Sequence, residues 1–198
     1  MRARMAILQA NIRCELREVV LKDKPEAMLA VSNKGTVPVL QTLEEKIIDQ
    51  SLEVMHWALQ QHDAEDWLLV DDESSALIDK NDTQFKYYLD RYKYHVAYPE
   101  QPQQFYRDKA CQFLDIIERC LEVNDGLAIS RKKISITDIA IFPFIRQFAN
   151  VDIDWFTSSP YVLIKTWYKS LEQSHLFQNS MQKYEQWLPG HKPVYFPA

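Results

Sequence analysis

The stretch Asn33-Lys34-Gly35-Thr36-Val37-Pro38-Val39-Leu40-Gln41, followed after the polar Glu44-Glu45-Lys46 by Ile47-Ile48-Asp49-Gln50-Ser51, decides the fold. Asn33-Lys34-Gly35 reads as a turn. The apolar runs on either side of the charged break read as the two strands of a hairpin, over 37–41 and 47–49. Directly behind them, residues 51–60 place Leu52, Met55 and Leu59 at the three-and-four spacing of a helix packed on a sheet. Upstream, residues 14–21 combine β-branched side chains with partial alternation as far as Lys24-Pro25, which predicts a strand, and residues 25–31 then form a short helix. The first 62 residues are therefore mixed α/β.

Downstream, the acidic segment from Asp63 to Ser75 interrupts this pattern and marks a domain boundary. Beyond it the spacing is helical. Ile78, Phe85, Leu89, Tyr92 and Val96 form one stripe, and Ala110, Phe113, Leu114, Ile117 and Leu121 form another, with Pro99 and Pro102 between them. Two long antiparallel helices follow. A third opens at Ser135, where Ser135 and Asp138 have the spacing of a capping box and Ile134 can staple onto Ile139. A fourth opens at Ser159-Pro160 and turns Leu163, Ile164, Trp167 and Leu171 inward. The tail, with Pro189, Pro193 and Pro197, is expected to be extended.

The composition excludes several kinds of function. Three glycines are too few for a phosphate cradle or a dinucleotide fingerprint. A net charge of -5 gives no general attraction to nucleic acid, and the short run Arg131-Lys132-Lys133 reads as a solvated loop. No apolar run approaches the length of a membrane span, which predicts no membrane partner. Cys14, Cys111 and Cys120 are odd in number and lack metal spacing, which suits reduced thiols and a cytoplasmic setting. The five histidines are scattered, so no metal site is expected.

A βαββα half followed by a helical half, with Gly35-Thr36-Val37-Pro38-Val39-Leu40, Asp49-Gln50-Ser51 and Ser135-Ile136-Thr137-Asp138-Ile139 in place, resembles the cytosolic glutathione transferases. The bacterial cysteine- and serine-type members look closest. The resemblance implies an incomplete thioredoxin-like α/β domain over 1–62, lacking its first strand, and an all-helical domain over 76–198. It also implies a cis Val37-Pro38 bond that turns the backbone of Val37 toward the cysteinyl part of glutathione. Gln50 and Ser51 would hold the γ-glutamyl carboxylate, and Lys34 would lie near the glycyl carboxylate. From the residues alone, Pro38 could merely open an edge strand, Ser51 could be a plain cap, and Lys34 an exposed loop lysine.

The activity implied is glutathione conjugation or glutathione-dependent thiol reduction by a homodimer. Glutathione is the substrate, and a small hydrophobic electrophile or a disulfide is its partner. A non-catalytic glutathione- or protein-binding module is the alternative. In the family, the segment matching Met1-Arg2-Ala3-Arg4 follows a strand and a turn that carries the catalytic cysteine, serine or tyrosine. That turn is outside this sequence, so the resemblance assigns the catalytic role to no residue here. Either an upstream extension exists or the first domain is naturally shortened, and the chain as given is expected to show weak or absent transferase chemistry. Cys14, at a strand start, lacks the helix N-terminus that would stabilise a thiolate. The aromatic run Phe85, Tyr87, Tyr88, Tyr92 and Tyr94 is where an apolar wall for the second substrate is expected, with core packing as the plainer reading of each ring.

Overall fold

The computed structural model describes residues 1–197. Residues 1–64 form α1 (Arg2–Gln9), β1 (Cys14–Leu16), α2 (Glu26–Val31), β2 (Leu40–Gln41), β3 (Ile47–Ile48) and α3 (Ser51–Gln61). Residues 65–174 form α4 (Asp72–Lys80), a π-helical turn over Asn81–Phe85, α5 (Lys86–Lys93), a 3-10 turn over His95–Ala97, α6 (Gln103–Val123), α7 (Ile136–Ala149), α8 (Ile153–Ser158) and α9 (Val162–Glu172). Then α10 (His175–Ser180) and β4 (Val194–Phe196) rejoin the first unit. The chain is thus an α/β unit with small sheets and a helical unit.

In the first unit, α1 packs against α3 and α10. The apolar positions of α3 face inward as their spacing requires, and Met5, Ala6, Val54, Met55, Ala58 and Leu59 are buried. β2 and β3 pair antiparallel with Leu40 opposite Ile48 and Gln41 opposite Ile47. Both strands are shorter than expected, because Pro38 carries no amide hydrogen and the ladder begins beyond it.

β1 is shorter still, three residues in place of the eight expected over 14–21. Its partner is β4, antiparallel, with Cys14 opposite Phe196 and Leu16 opposite Val194. The next position along would face Pro193, which has no N–H to give, and the ladder stops there. The tail is nonetheless tied down. The Trp187 amide donates to the Glu18 carbonyl at 2.8 Å, and the Gln186 amide donates to Asp23 at 2.9 Å. Three arginines lie over tail aromatics: Arg4 over Tyr184 and Phe196, Arg13 over Tyr195 at 4.1 Å, and Arg17 over Trp187 at 4.8 Å. Arg4 also pairs with Glu18. Residues 175 onward, expected with the helical domain, therefore pack with residues 1–64.

In the helical unit, the boundary segment is partly helix. Asp71 accepts from the Ser74 amide at 2.9 Å, and Asp72 and Glu73 fill the first turn of α4, where acidic side chains complement the exposed amides. Both predicted stripes are buried with one exception: Val96 is exposed, because the helix ends at Lys93 and the 3-10 turn rotates Val96 outward. Phe85 and Tyr92 sit in the core, Phe85 stacked on Phe113 at 4.8 Å and Tyr92 tilted on Phe148 at 5.3 Å. The basic run is held by acidic loops, with Lys132 on Asp125 at 2.6 Å and Lys133 on Glu65 at 2.9 Å.

The capping box at Ser135 is present. Asp138, fully buried, accepts from the Ser135 amide (3.0 Å), the Ser135 hydroxyl (2.9 Å), the Ile129 amide (2.8 Å) and the Trp167 indole (2.9 Å). Burial pushes its carboxyl upward and the four donors oppose that shift.

Candidate functional site

The hairpin register fixes what lies at one end of the first unit's small sheet. Because Leu40 faces Ile48, the chain entering β2 through Val37-Pro38-Val39 and the chain leaving β3 through Asp49-Gln50-Ser51 flank the same end of the ladder. The loop before β2 is fastened to that end. Lys34 pairs with Asp49 at 2.8 Å, and the Ser32 hydroxyl donates to the other Asp49 oxygen at 3.4 Å. Gly35 makes the bend with φ of +56°, where a side chain would be strained and a Cβ would lie 3.3 Å from Leu29. Lys34, Val37, Pro38, Gln50 and Ser51 thus belong to the two segments that flank this end of the ladder.

The groups left open there are backbone donors and acceptors. The Val37–Pro38 peptide is cis, as the resemblance implies. Val37 is half-exposed, and among the described residues neither its N–H nor its C=O takes a partner. At the start of α3, Gln50 has the extended backbone of an N-cap, but no side chain caps the helix. The Val54 amide bonds back to the Gln50 carbonyl at 3.0 Å, so the amides of Ser51, Leu52 and Glu53 precede the first intrahelical bond. An uncapped helix start with a hydroxyl beside it can take a carboxylate. Ser51 is the first helical residue, one position beyond the cap that its residue type alone suggests. The anchoring role of Asp49 was not anticipated, although a carboxylate and a lysine flanking one hairpin are a readable signal.

Residues 1–66 match the family described as glutathione S-transferase, N-terminal domain. The match covers one third of the chain and takes in the N-terminal part of the first unit. No curated protein matches the sequence. Among solved structures, the chain is similar to Gtt2 from Saccharomyces cerevisiae, at 18% identity and a TM-score of 0.66, over 91% of this chain and 94% of that one. It is similar to BphK, a bacterial glutathione S-transferase, at 16% identity and a TM-score of 0.73, over 90% and 91%. It is also similar to glutathione transferase Omega 3C from Trametes versicolor, at 17% identity and a TM-score of 0.74, over 93% and 85%. At these identities the likeness establishes that the glutathione transferase fold runs through both units.

The thiols of the first unit and of the helical unit share one electrostatic character. Burial raises Cys14 and Cys120 above the ordinary thiol range and pushes Cys111 up to about 11. All three are free. At pH 7.5 they are therefore thiols rather than thiolates, and alkylation by iodoacetamide followed by mass spectrometry is expected to be slow at each. For Cys111 the rate is expected to rise about tenfold per pH unit until the pH approaches its pKa. A rate at Cys111 that levels off near pH 8 would contradict this reading. Among the described residues no group of three or more His, Cys, Asp or Glu could hold a metal ion, and no helix is long and apolar enough to cross a membrane.

Proposed function

We propose that the protein binds glutathione at the end of the β2–β3 hairpin and serves glutathione conjugation or glutathione-dependent thiol reduction. In this reading the N–H and C=O of Val37, aligned by Pro38, pair with the cysteinyl backbone as an added strand would. The Ser51 hydroxyl, the Gln50 side chain and the open amides of α3 take the γ-glutamyl carboxylate. Lys34, steadied by Asp49, supplies positive charge for the glycyl carboxylate. The observation that carries the reading is the hairpin register, which sets an unpartnered strand entry beside an uncapped helix start. The wider family reading adds a homodimer, a cytoplasmic setting, and a small hydrophobic electrophile or disulfide as the second substrate.

The alternative reading is a non-catalytic glutathione- or protein-binding module of the same fold. Calorimetric titration with glutathione tests the site common to both. Ser51→Ala is expected to weaken binding about tenfold, the size of one lost charge-assisted hydrogen bond. Unchanged affinity in that variant would remove Ser51 from the site. Turnover of an aryl halide or a mixed glutathione disulfide then separates the enzyme from the module.

A further inference from the structure

The helical unit contains a cavity of about 430 Å³, within the size range of small-molecule sites, where the last turns of α5 and α7 meet the start of α6. The polar part of its lining is basic. Lys93, His95 and Arg146 face it with the amides of Gln103, Gln147 and Asn150, and no carboxylate among the described residues lines it. Among the described residues that line it, Val151 is the apolar one, and nearly half of the wall surface is apolar. In a chain of net charge -5, Lys93 and Arg146 bring two cations from separate helices to one concavity, with the His95 imidazole beside them.

Basic residues in the last turn of a helix often only complement its exposed carbonyls. Here other groups do that work. The Gln103 amide donates to the Tyr92 carbonyl at 3.1 Å, and the Asn150 amide donates to the Arg146 carbonyl at 2.7 Å. Lys93 reaches the Gln147 side-chain oxygen at 3.4 Å and lies 4.8 Å from the Tyr94 ring centre, and no carboxylate among the described residues pairs with it. The neighbouring carboxylates are committed elsewhere. Asp90 holds Lys86 at 2.5 Å, Asp152 caps α8 at the Trp155 amide, and Glu172 lies 3.7 Å from Arg146, which it steadies from outside the cavity.

We infer that this cavity binds a small organic anion carrying two or more carboxylates. The volume far exceeds that of a lone inorganic ion, so the ligand has a carbon skeleton. The basic groups are supplied by three separate elements, α5, the 3-10 turn and α7, and a ligand with more than one carboxylate can engage more than one of them. The amide oxygens of Gln103 and Gln147 can accept from hydroxyl groups on the same ligand. This inference is independent of the glutathione reading, since every lining residue belongs to the helical unit.

Calorimetric titration of the full chain with citrate, at constant ionic strength, tests it. One saturable site is expected, with affinity reduced about tenfold in Lys93→Gln and restored in Lys93→Arg. Malate should bind, and its neutral diamide should not. Lys93 is exposed, so its variants should keep the wild-type circular dichroism, and His95→Gln provides a second probe of the same wall. The assignment is overturned if citrate shows no saturable binding in the millimolar range, if Lys93→Gln and His95→Gln both leave its affinity unchanged, or if inorganic phosphate binds as tightly as citrate.

Discussion

Asp138→Ala is expected to destabilise the helical unit by about 3–5 kcal/mol, among the largest costs a single substitution can carry here. The carboxylate is fully buried and receives four donors, from the Ile129 amide, the Ser135 amide and hydroxyl, and the Trp167 indole. Alanine leaves all four without an acceptor in a dry core. The loss has three parts: the N-terminus of α7 loses its capping box, the 124–135 loop loses its tie at Ile129, and α9 loses the polar bond that fixes Trp167. Urea denaturation followed by far-UV circular dichroism checks this. A midpoint shift equivalent to less than about 1 kcal/mol, the worth of a lone surface cap, would mean that the four bonds do not act together.

Deleting residues 181–198 is expected to unfold the first unit while leaving the helical unit cooperative. The deletion removes the antiparallel partner of β1 and leaves its edge open. It also removes Tyr184, Trp187, Tyr195 and Phe196, the rings beneath Arg4, Arg13 and Arg17. Phe196→Ala alone is expected to cost about 3 kcal/mol, the usual range for emptying a buried aromatic site, because its ring is buried beside Tyr184. Amide hydrogen exchange separates the two units by peptide. The account holds if protection is lost in α1, β1 and α3 and kept in α6 and α7. Retained protection in α1 and α3 after the deletion would show that the tail merely lies on a unit already stable without it.

The sequence made some of this legible and hid the rest, for reasons that depend on how far apart the interacting residues lie. The hairpin, the inward face of α3 and the Ser135–Asp138 box could be read because each depends on residues within one or two turns of chain. The stripe through Phe85, Leu89 and Tyr92 held, whereas Val96 failed because helical spacing says nothing about where the last turn stops. The tail was read as extended, yet its placement on β1 depends on pairing across most of the chain's length, and Pro193 and Pro197 concealed the strand between them. The aromatic wall expected on α5 is divided. Phe85 and Tyr92 are core, Tyr87 and Tyr94 are half-exposed, and the cavity found beside that helix end is basic instead. Its cations come from helices that are separate in sequence, and periodicity carries no information about such a meeting.

At the candidate glutathione site, the residue types and the order of Lys34, Val37, Pro38, Gln50 and Ser51 were legible, and the proposed convergence was not. That convergence needs the ladder register and the Lys34–Asp49 pair, which close the loop onto the helix start. The central claim is therefore geometric, and backbone amide shifts measured by NMR during a glutathione titration test it most directly. The account predicts that saturating shifts concentrate at Val37, Gln50, Ser51 and Leu52. Shifts that saturate elsewhere while these four stay still, or no shifts at all, would contradict it.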